Sequence, residues 1–169
     1  MARIKPEFDR RNVKIIGLSV DSAGDHEEWS KDIEETQGTA PNYPIIDDSN
    51  FEVAKAYGML PADTSGDAKE RTPADNQTVR NAFVIGPDKK IKLILVYPMT
   101  TGRNFDEVLR VIDSLQLTAK HKVATPVNWK RGEDVIIAGS VSEEEAKQTY
   151  PQGWKAPKPY IRIVPQPTS

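Results

Sequence analysis

The sequence predicts a mixed α/β sandwich with an antiparallel edge, and three observations predict it. An apolar, β-branched run is followed by a helical pattern, the same strand-then-helix order returns, and two further apolar runs are joined by a turn too short for a crossover. The chain has 169 residues, 37% of them hydrophobic, enough for one domain with an appendage.

At the start of the chain, Ile4 and Phe8 share one helical face, and Pro6 is tolerated only if it lies in a first turn. Val13–Val20 (VKIIGLSV) is nearly all apolar, as in a central strand covered on both faces. Asp25 is positioned to cap a helix through Gln37, with Trp29 and Ile33 as its apolar stripe and Gly38 as a left-handed stop. Pro44–Asp47 reads as a short strand. Ser49 and Glu52 have the spacing of a capping box for a helix whose Val53, Ala54 and Tyr57 face inward before Gly58. A polar loop is expected from Leu60 to Thr78. Val79–Ile85 and Ile91–Tyr97 flank Gly86-Pro-Asp-Lys-Lys90 and form a hairpin. Asn104 and Glu107 are spaced to box a helix over Phe105–Leu117, whose Phe105, Val108, Leu109, Ile112 and Leu115 recur at helical spacing.

Beyond Leu117 the composition changes. Residues 118–169 hold six of the 13 prolines and carry +3, against −5 before them, so a boundary is expected near Thr118. That tail should contain a strand over Asp134–Ala138, a helix started by Ser142 with Glu145 three residues on, and a strand over Tyr160–Val164. The element order is that of the later part of a thioredoxin-like fold, without its first strand and most of its first helix.

Composition narrows the chemistry. There is no cysteine, which excludes disulfides, thiolate nucleophiles and sulfur-ligated zinc within these residues. The two histidines, His26 and His121, read as surface residues, and the acidic runs read as helix-start partners, so no metal site is expected. A net charge of −2 with only paired basic residues disfavours nucleic acid. No apolar run reaches the ~18 residues of a membrane span. The charged first residues do not resemble a secretory leader, so a cytoplasmic location is expected. Trp29, Trp129 and Trp154 read as packing residues.

Two arginines stand out. Arg80 begins an apolar strand and shares a face with Ala82 and Val84, which would hold its guanidinium near the sheet, as an anion site or as a rim residue paired with a carboxylate. Arg103 directly precedes a helix cap, where the helix dipole is already positive. Thr100, Thr101 and the Gly102 amide could complete a carboxylate or oxyanion pocket with it.

Several segments resemble the one-cysteine peroxiredoxins: Arg11–Asp21 (RNVKIIGLSVD), Tyr43–Asp48 (YPIIDD), Ala56–Leu60 (AYGML), Val79–Lys90 (VRNAFVIGPDKK), Tyr97–Glu107 (YPMTTGRNFDE), Ala124–Lys130 (ATPVNWK), Glu143–Lys147 (EEEAK) and Val164–Pro167 (VPQP). The resemblance spans nearly the whole chain. It implies a thioredoxin-like core over residues 1–117, incomplete at its N-terminal side, and a C-terminal extension over 118–169 in dimer contacts. It implies a thiol-dependent peroxidase acting on hydrogen peroxide and organic hydroperoxides, with an external thiol reductant, no cofactor, no metal and a homodimeric state. In that family a cysteine thiolate attacks the peroxide O–O bond and becomes a sulfenic acid. Arg80 matches the arginine that keeps the cysteine ionised, and Arg103 a second arginine of the same pocket.

The family's cysteine lies in a Pro-x-x-x-Thr-x-x-Cys loop ahead of the helix in which this chain begins, and that loop is absent from the sequence, so its residues have no counterpart here. The expectation is that Met1 is an internal residue or an alternative start, and that this chain alone is marginally stable and inactive. Two other readings remain open: a non-catalytic subunit that docks on an intact homologue, and an anion-binding module built on Arg80 and Arg103.

Overall fold

The computed structural model describes residues 1–60 and 79–168, so the polar loop expected after Leu60 lies outside the described residues. The chain divides into two compact units, Met1–Asn104 and Phe105–Ser169. The change of composition at Thr118 falls near the end of the helix that follows that division.

The first unit opens with a 3-10 turn, Ala2–Ile4, and helix α1, Lys5–Arg10, with Pro6 in its first turn and Phe8 buried. Strand β1, Gly17–Ser19, pairs in parallel with β2, Ile45–Asp47, and with no other strand among the described residues. Here the structure departs from the sequence reading. The eight-residue run Val13–Val20 supplies only this short strand, and Ile16 is 63% exposed rather than covered.

Helix α2, Ala23–Gln37, ends at Gly38 with φ +67, as its glycine requires. Its N-cap is Ser22 rather than Asp25. The Ser22 hydroxyl accepts from the Asp25 amide at 3.3 Å, and the Asp25 carboxylate accepts from the Ser22 amide at 3.1 Å, a reciprocal box. Asp25 is thus the N3 partner; both residue types cap helices, and the sequence alone left the choice open. Trp29 is 51% exposed, so the expected apolar stripe of α2 is not buried.

The β2 residue Asp47 adds a second carboxylate to this helix start, accepting from the Ala23 amide at 3.0 Å and the Ser49 amide at 2.9 Å. Both carboxyls are held below the ordinary carboxylate range, Asp25 by its bonds from Ser22 and Asp47 chiefly by those from Ser49 and then Ala23. A depressed carboxyl stabilises the fold above its ordinary pKa and loses that contribution as pH falls through its lowered value. The N-terminal turn of α2 is therefore expected to hold from neutral pH to about pH 4 and fray below it. Helical NMR shifts of residues 23–27 during an acid titration check this, and fraying between pH 7 and 5 would contradict it.

Helix α3, Glu52–Ala56, does not use the Ser49–Glu52 box. Buried Asp48 takes that role: its carboxylate oxygens accept from the Val53 amide at 2.9 Å and the Ala54 amide at 2.6 Å. Phe51 precedes α3 at φ +62, a conformation costly for a side chain, while its ring is buried with Val20, Ala54 and Leu60 in the small core of this region. Tyr57 stands edge-on to Phe83, ring centres 4.9 Å apart, instead of turning fully inward. Strands β3, Arg80–Ile85, and β4, Ile91–Tyr97, form the expected hairpin, closed by bonds between Gly86 and Lys90 and between Lys89 and Gly86.

The second unit begins with α4, Phe105–Lys120, whose Val108, Leu109 and Ile112 are buried. Its sheet is antiparallel in the order β5 (Val123–Ala124), β6 (Val135–Ile137), β8 (Ile161–Val164), β7 (Lys155–Lys158). The sequence reading found β6 and β8 and missed both outer strands. Helix α5, Glu143–Thr149, starts at Ser142 as expected, the hydroxyl accepting from the Glu145 amide at 3.1 Å. Trp129, Val135, Ile137, Ala146 and Val164 form the core, with Leu117 and Trp154 packed at its margin.

Candidate functional site

The first unit holds the two arginines singled out by sequence. Arg80 is the first residue of β3 and lies opposite Tyr97, the last residue of β4, across the antiparallel ladder. Its position at the end of the ladder leaves its side chain exposed rather than held against the sheet as expected. Beyond Tyr97 the chain turns, with the Thr101 amide donating to the Pro98 carbonyl at 2.9 Å, and returns Arg103 toward the same end.

The geometry joins a third residue to this pair. Arg103 has its pKa lowered first by burial of its guanidinium, although the side chain as a whole is exposed, and next by the like charge of Arg80; Tyr43 opposes the shift. Tyr43 in turn has its phenol raised by burial, with Arg103 pulling the other way. Arg103 therefore lies within electrostatic reach of both the Arg80 guanidinium and the Tyr43 phenol. The Tyr43 ring packs close to Gly17: a Cβ on Gly17 would stand 3.4 Å from that ring and, more tightly, 3.2 Å from the Ile45 side chain.

Such an arrangement stabilises negative charge. Arginines remain cationic at any working pH, and holding two of them together is unfavourable until an anion or a developing anion arrives. A phenol near Arg103 can donate a hydrogen bond to the same guest. The expected contribution of the intervening turn is smaller: Thr100, Thr101 and Gly102 are exposed, and the Thr101 amide is already bonded to Pro98.

Tyr43 is the member the sequence reading did not assign to the site. An aromatic residue before a short strand reads as packing, and only the fold brings it to the arginines. The histidines also differ from expectation. Neither is exposed, and the Nε2 atoms of His26 and His121 are buried without a hydrogen-bond partner among the described residues. No described helix is long and apolar enough to cross a membrane.

Comparison with known proteins gives these features a context. Residues 1–94 match the AhpC/TSA family, and residues 114–153 match the C-terminal domain of 1-Cys peroxiredoxin. The chain is 49% identical over 168 residues to the 1-Cys peroxiredoxin of Dictyostelium discoideum, covering 99% of this chain and 66% of that protein. It is 50% identical over 175 residues to peroxiredoxin-6 of Rattus norvegicus, covering 98% and 76%. The solved structure of a yeast mitochondrial 1-Cys peroxiredoxin superposes with a TM-score of 0.86 at 48% identity, over 97% of this chain and 76% of that one. The chain thus spans about two thirds to three quarters of the length of the relatives it matches. The fold is accordingly the mixed α/β, thioredoxin-like fold of peroxiredoxins with its C-terminal extension. Identity near one half along almost the whole chain, joined to both family matches, places the protein in the AhpC/TSA family, on its one-cysteine peroxiredoxin branch.

Proposed function

We propose that this chain provides the electrostatic part of a thiol-dependent peroxidase that reduces hydrogen peroxide and organic hydroperoxides in antioxidant defence. The observation that carries the reading is the placing of a partly sheltered Arg103 within electrostatic reach of a second positive charge, Arg80, and of the Tyr43 phenol. In the reaction a thiolate sulfur attacks one peroxide oxygen, the O–O bond breaks, and the other oxygen leaves with a proton as water or alcohol. The sulfur becomes a sulfenic acid, and two equivalents of a small or protein thiol return it to the thiol, forming a disulfide and water. Arg80 and Arg103 favour the thiolate over the thiol and stabilise the charge that moves onto the leaving oxygen. The sulfur itself is not among these residues, since the sequence has no cysteine, so this chain by itself performs none of the covalent steps.

The reductant is an external thiol, and no cofactor takes part. The yeast relative, whose thiol is resolved through glutathione and thioredoxin systems, supports this choice. The same dependence on reduced thiols favours the cytoplasm as the working compartment. The protein acts as a homodimer: Ile94 and Val96 stand on one face of β4 at 51% and 62% exposure, an apolar surface that a second copy can cover.

The site is tested by titrating the chain with methanesulfinate, an analogue of an oxidised cysteine side chain, and separately with inorganic phosphate. The NMR signals of the Tyr43 ring and the Arg103 guanidinium are expected to shift with methanesulfinate, and the shift to weaken about tenfold in Arg80→Ala, the loss of one charge-assisted contact. Preference for phosphate would favour the anion-binding module instead, and no response to either anion would overturn both readings.

A further inference from the structure

The second unit holds a hollow of its own. The end of α5 and the chain that leaves it, through Lys147, Tyr150, Pro151, Gly153 and Trp154, line a volume of about 270 Å³. Sites for drug-sized ligands run from roughly 300 to 1,000 Å³, so this one has room for a single ring rather than two. Gly153 turns the chain at φ +80, and a Cβ there would meet nothing within 4 Å, so a guest can lie directly against the backbone on that side.

Its aromatic walls are fixed before any guest arrives. Tyr150 is buried, and Trp154 packs at the margin of the core. From β8, the Arg162 guanidinium stands 5.9 Å from the centre of the Trp154 ring. Arg162 is itself anchored by three backbone carbonyls, donating to Val141 at 2.7 Å, Ala138 at 3.1 Å and Ser142 at 3.5 Å. Arg162 does not line the hollow, so it steadies the indole from outside and leaves the remaining ring surface to a guest. Charge then sets the sign of that guest. Aromatic walls attract cations, but one guanidinium already occupies the indole and the Lys147 ammonium belongs to the same wall, so a further cation is repelled. Lys147 pairs with Glu143 at 2.7 Å, with 66% and 65% of the two side chains exposed. An exposed pair one helical turn apart contributes little, which leaves Lys147 able to turn to a guest. Burial raises the Tyr150 phenol above its ordinary value, so it stays protonated and can donate a hydrogen bond.

We propose that this hollow is a binding site for a small aromatic carboxylate of one ring, the ring lying against Trp154 and Tyr150 and the carboxylate held by Lys147. Each part of the guest answers one part of the wall. The flat ring matches two aromatic side chains and Pro151, and the negative charge matches the ammonium at the rim. The site uses neither Arg80 nor Arg103 and stands whether or not the peroxidase reading does.

The probe is benzoate, titrated into the full chain while the Trp154 indole NH is followed by NMR, with the indole signals of Trp29 and Trp129 as internal references. The Trp154 signal is expected to shift with a dissociation constant on the order of 1 mM, as suits a small guest in an open site, while the references stay in place. Acetate carries the charge without the ring, and benzylammonium the ring with the opposite charge; both are expected to bind about tenfold more weakly or worse. Two substitutions at exposed positions should act in opposite directions. Lys147→Gln is expected to weaken benzoate about fivefold through loss of a charge-assisted contact, and Glu143→Gln, which releases Lys147 from its pair, to strengthen it about twofold, with the far-UV circular dichroism spectrum retained in both. No shift at Trp154, equal shifts of all three indoles, benzylammonium binding as tightly as benzoate, or unchanged affinity in Lys147→Gln overturns the proposal.

Discussion

Trp129→Ala is expected to lower the unfolding free energy by about 3–5 kcal/mol, the cost of removing a large aromatic ring from a packed core. Trp129 is 1% exposed and lies among Val135, Ile137 and Val164, the central residues of the second unit's sheet. Its indole NH donates to the Glu133 carbonyl at 3.1 Å, and its amide to the Pro126 carbonyl at 3.2 Å. The ring therefore closes the loop 126–133 as well as filling the core. Trp129→Phe keeps most of the volume and loses the indole bond, so its cost should be smaller, about 1–2 kcal/mol. Urea denaturation followed by circular dichroism checks both values. A Trp129→Ala midpoint close to that of the wild type would show that the ring is not a core residue.

Asp48→Ala should produce the second large effect, a loss of about 2–4 kcal/mol, because buried amides are left without their charged acceptor. Asp48 is 4% exposed, and its two oxygens hold the Val53 and Ala54 amides that begin α3. Ala54 is itself fully buried, so water cannot easily replace the lost carboxylate at that amide. Asp48→Asn retains one oxygen and should cost about half as much. Equal stability of all three proteins would mean that α3 is held by packing alone.

The parts of the fold that were legible in sequence are those fixed by local rules. The hairpin follows from a short turn between two apolar runs, and α4 follows from an apolar stripe repeated over several turns. The Gly38 stop and the Ser142 start are equally local, each set by one residue's backbone or side-chain chemistry. Where neighbouring residues offer the same chemistry, sequence did not decide: Ser22 rather than Asp25 caps α2, and Asp48 rather than Ser49 caps α3. Strands β5 and β7 were illegible for a different reason, one being two residues long and the other rich in lysine and proline.

The candidate site divides along the same line. Arg80 and Arg103 were legible because cations in unfavourable local positions stand out, whereas their mutual approach and the inclusion of Tyr43 depend on contacts across the first unit. The exposure of Arg80 was read incorrectly, since strand alternation assigns a face and does not indicate how near a residue lies to the ladder's end.

The central claim is that this chain supplies the arginine environment of a peroxidase and none of its covalent chemistry. The most direct measurement is the initial rate of hydrogen peroxide consumption by the 169-residue chain with reduced glutathione, and separately with a thioredoxin system, using an intact one-cysteine peroxiredoxin as the active control. The account predicts a rate for the chain no higher than that of the reductants alone. A saturable, peroxide-dependent rate that disappears in Arg80→Ala would contradict it, because the reaction would then be running at this site without a thiolate from the protein.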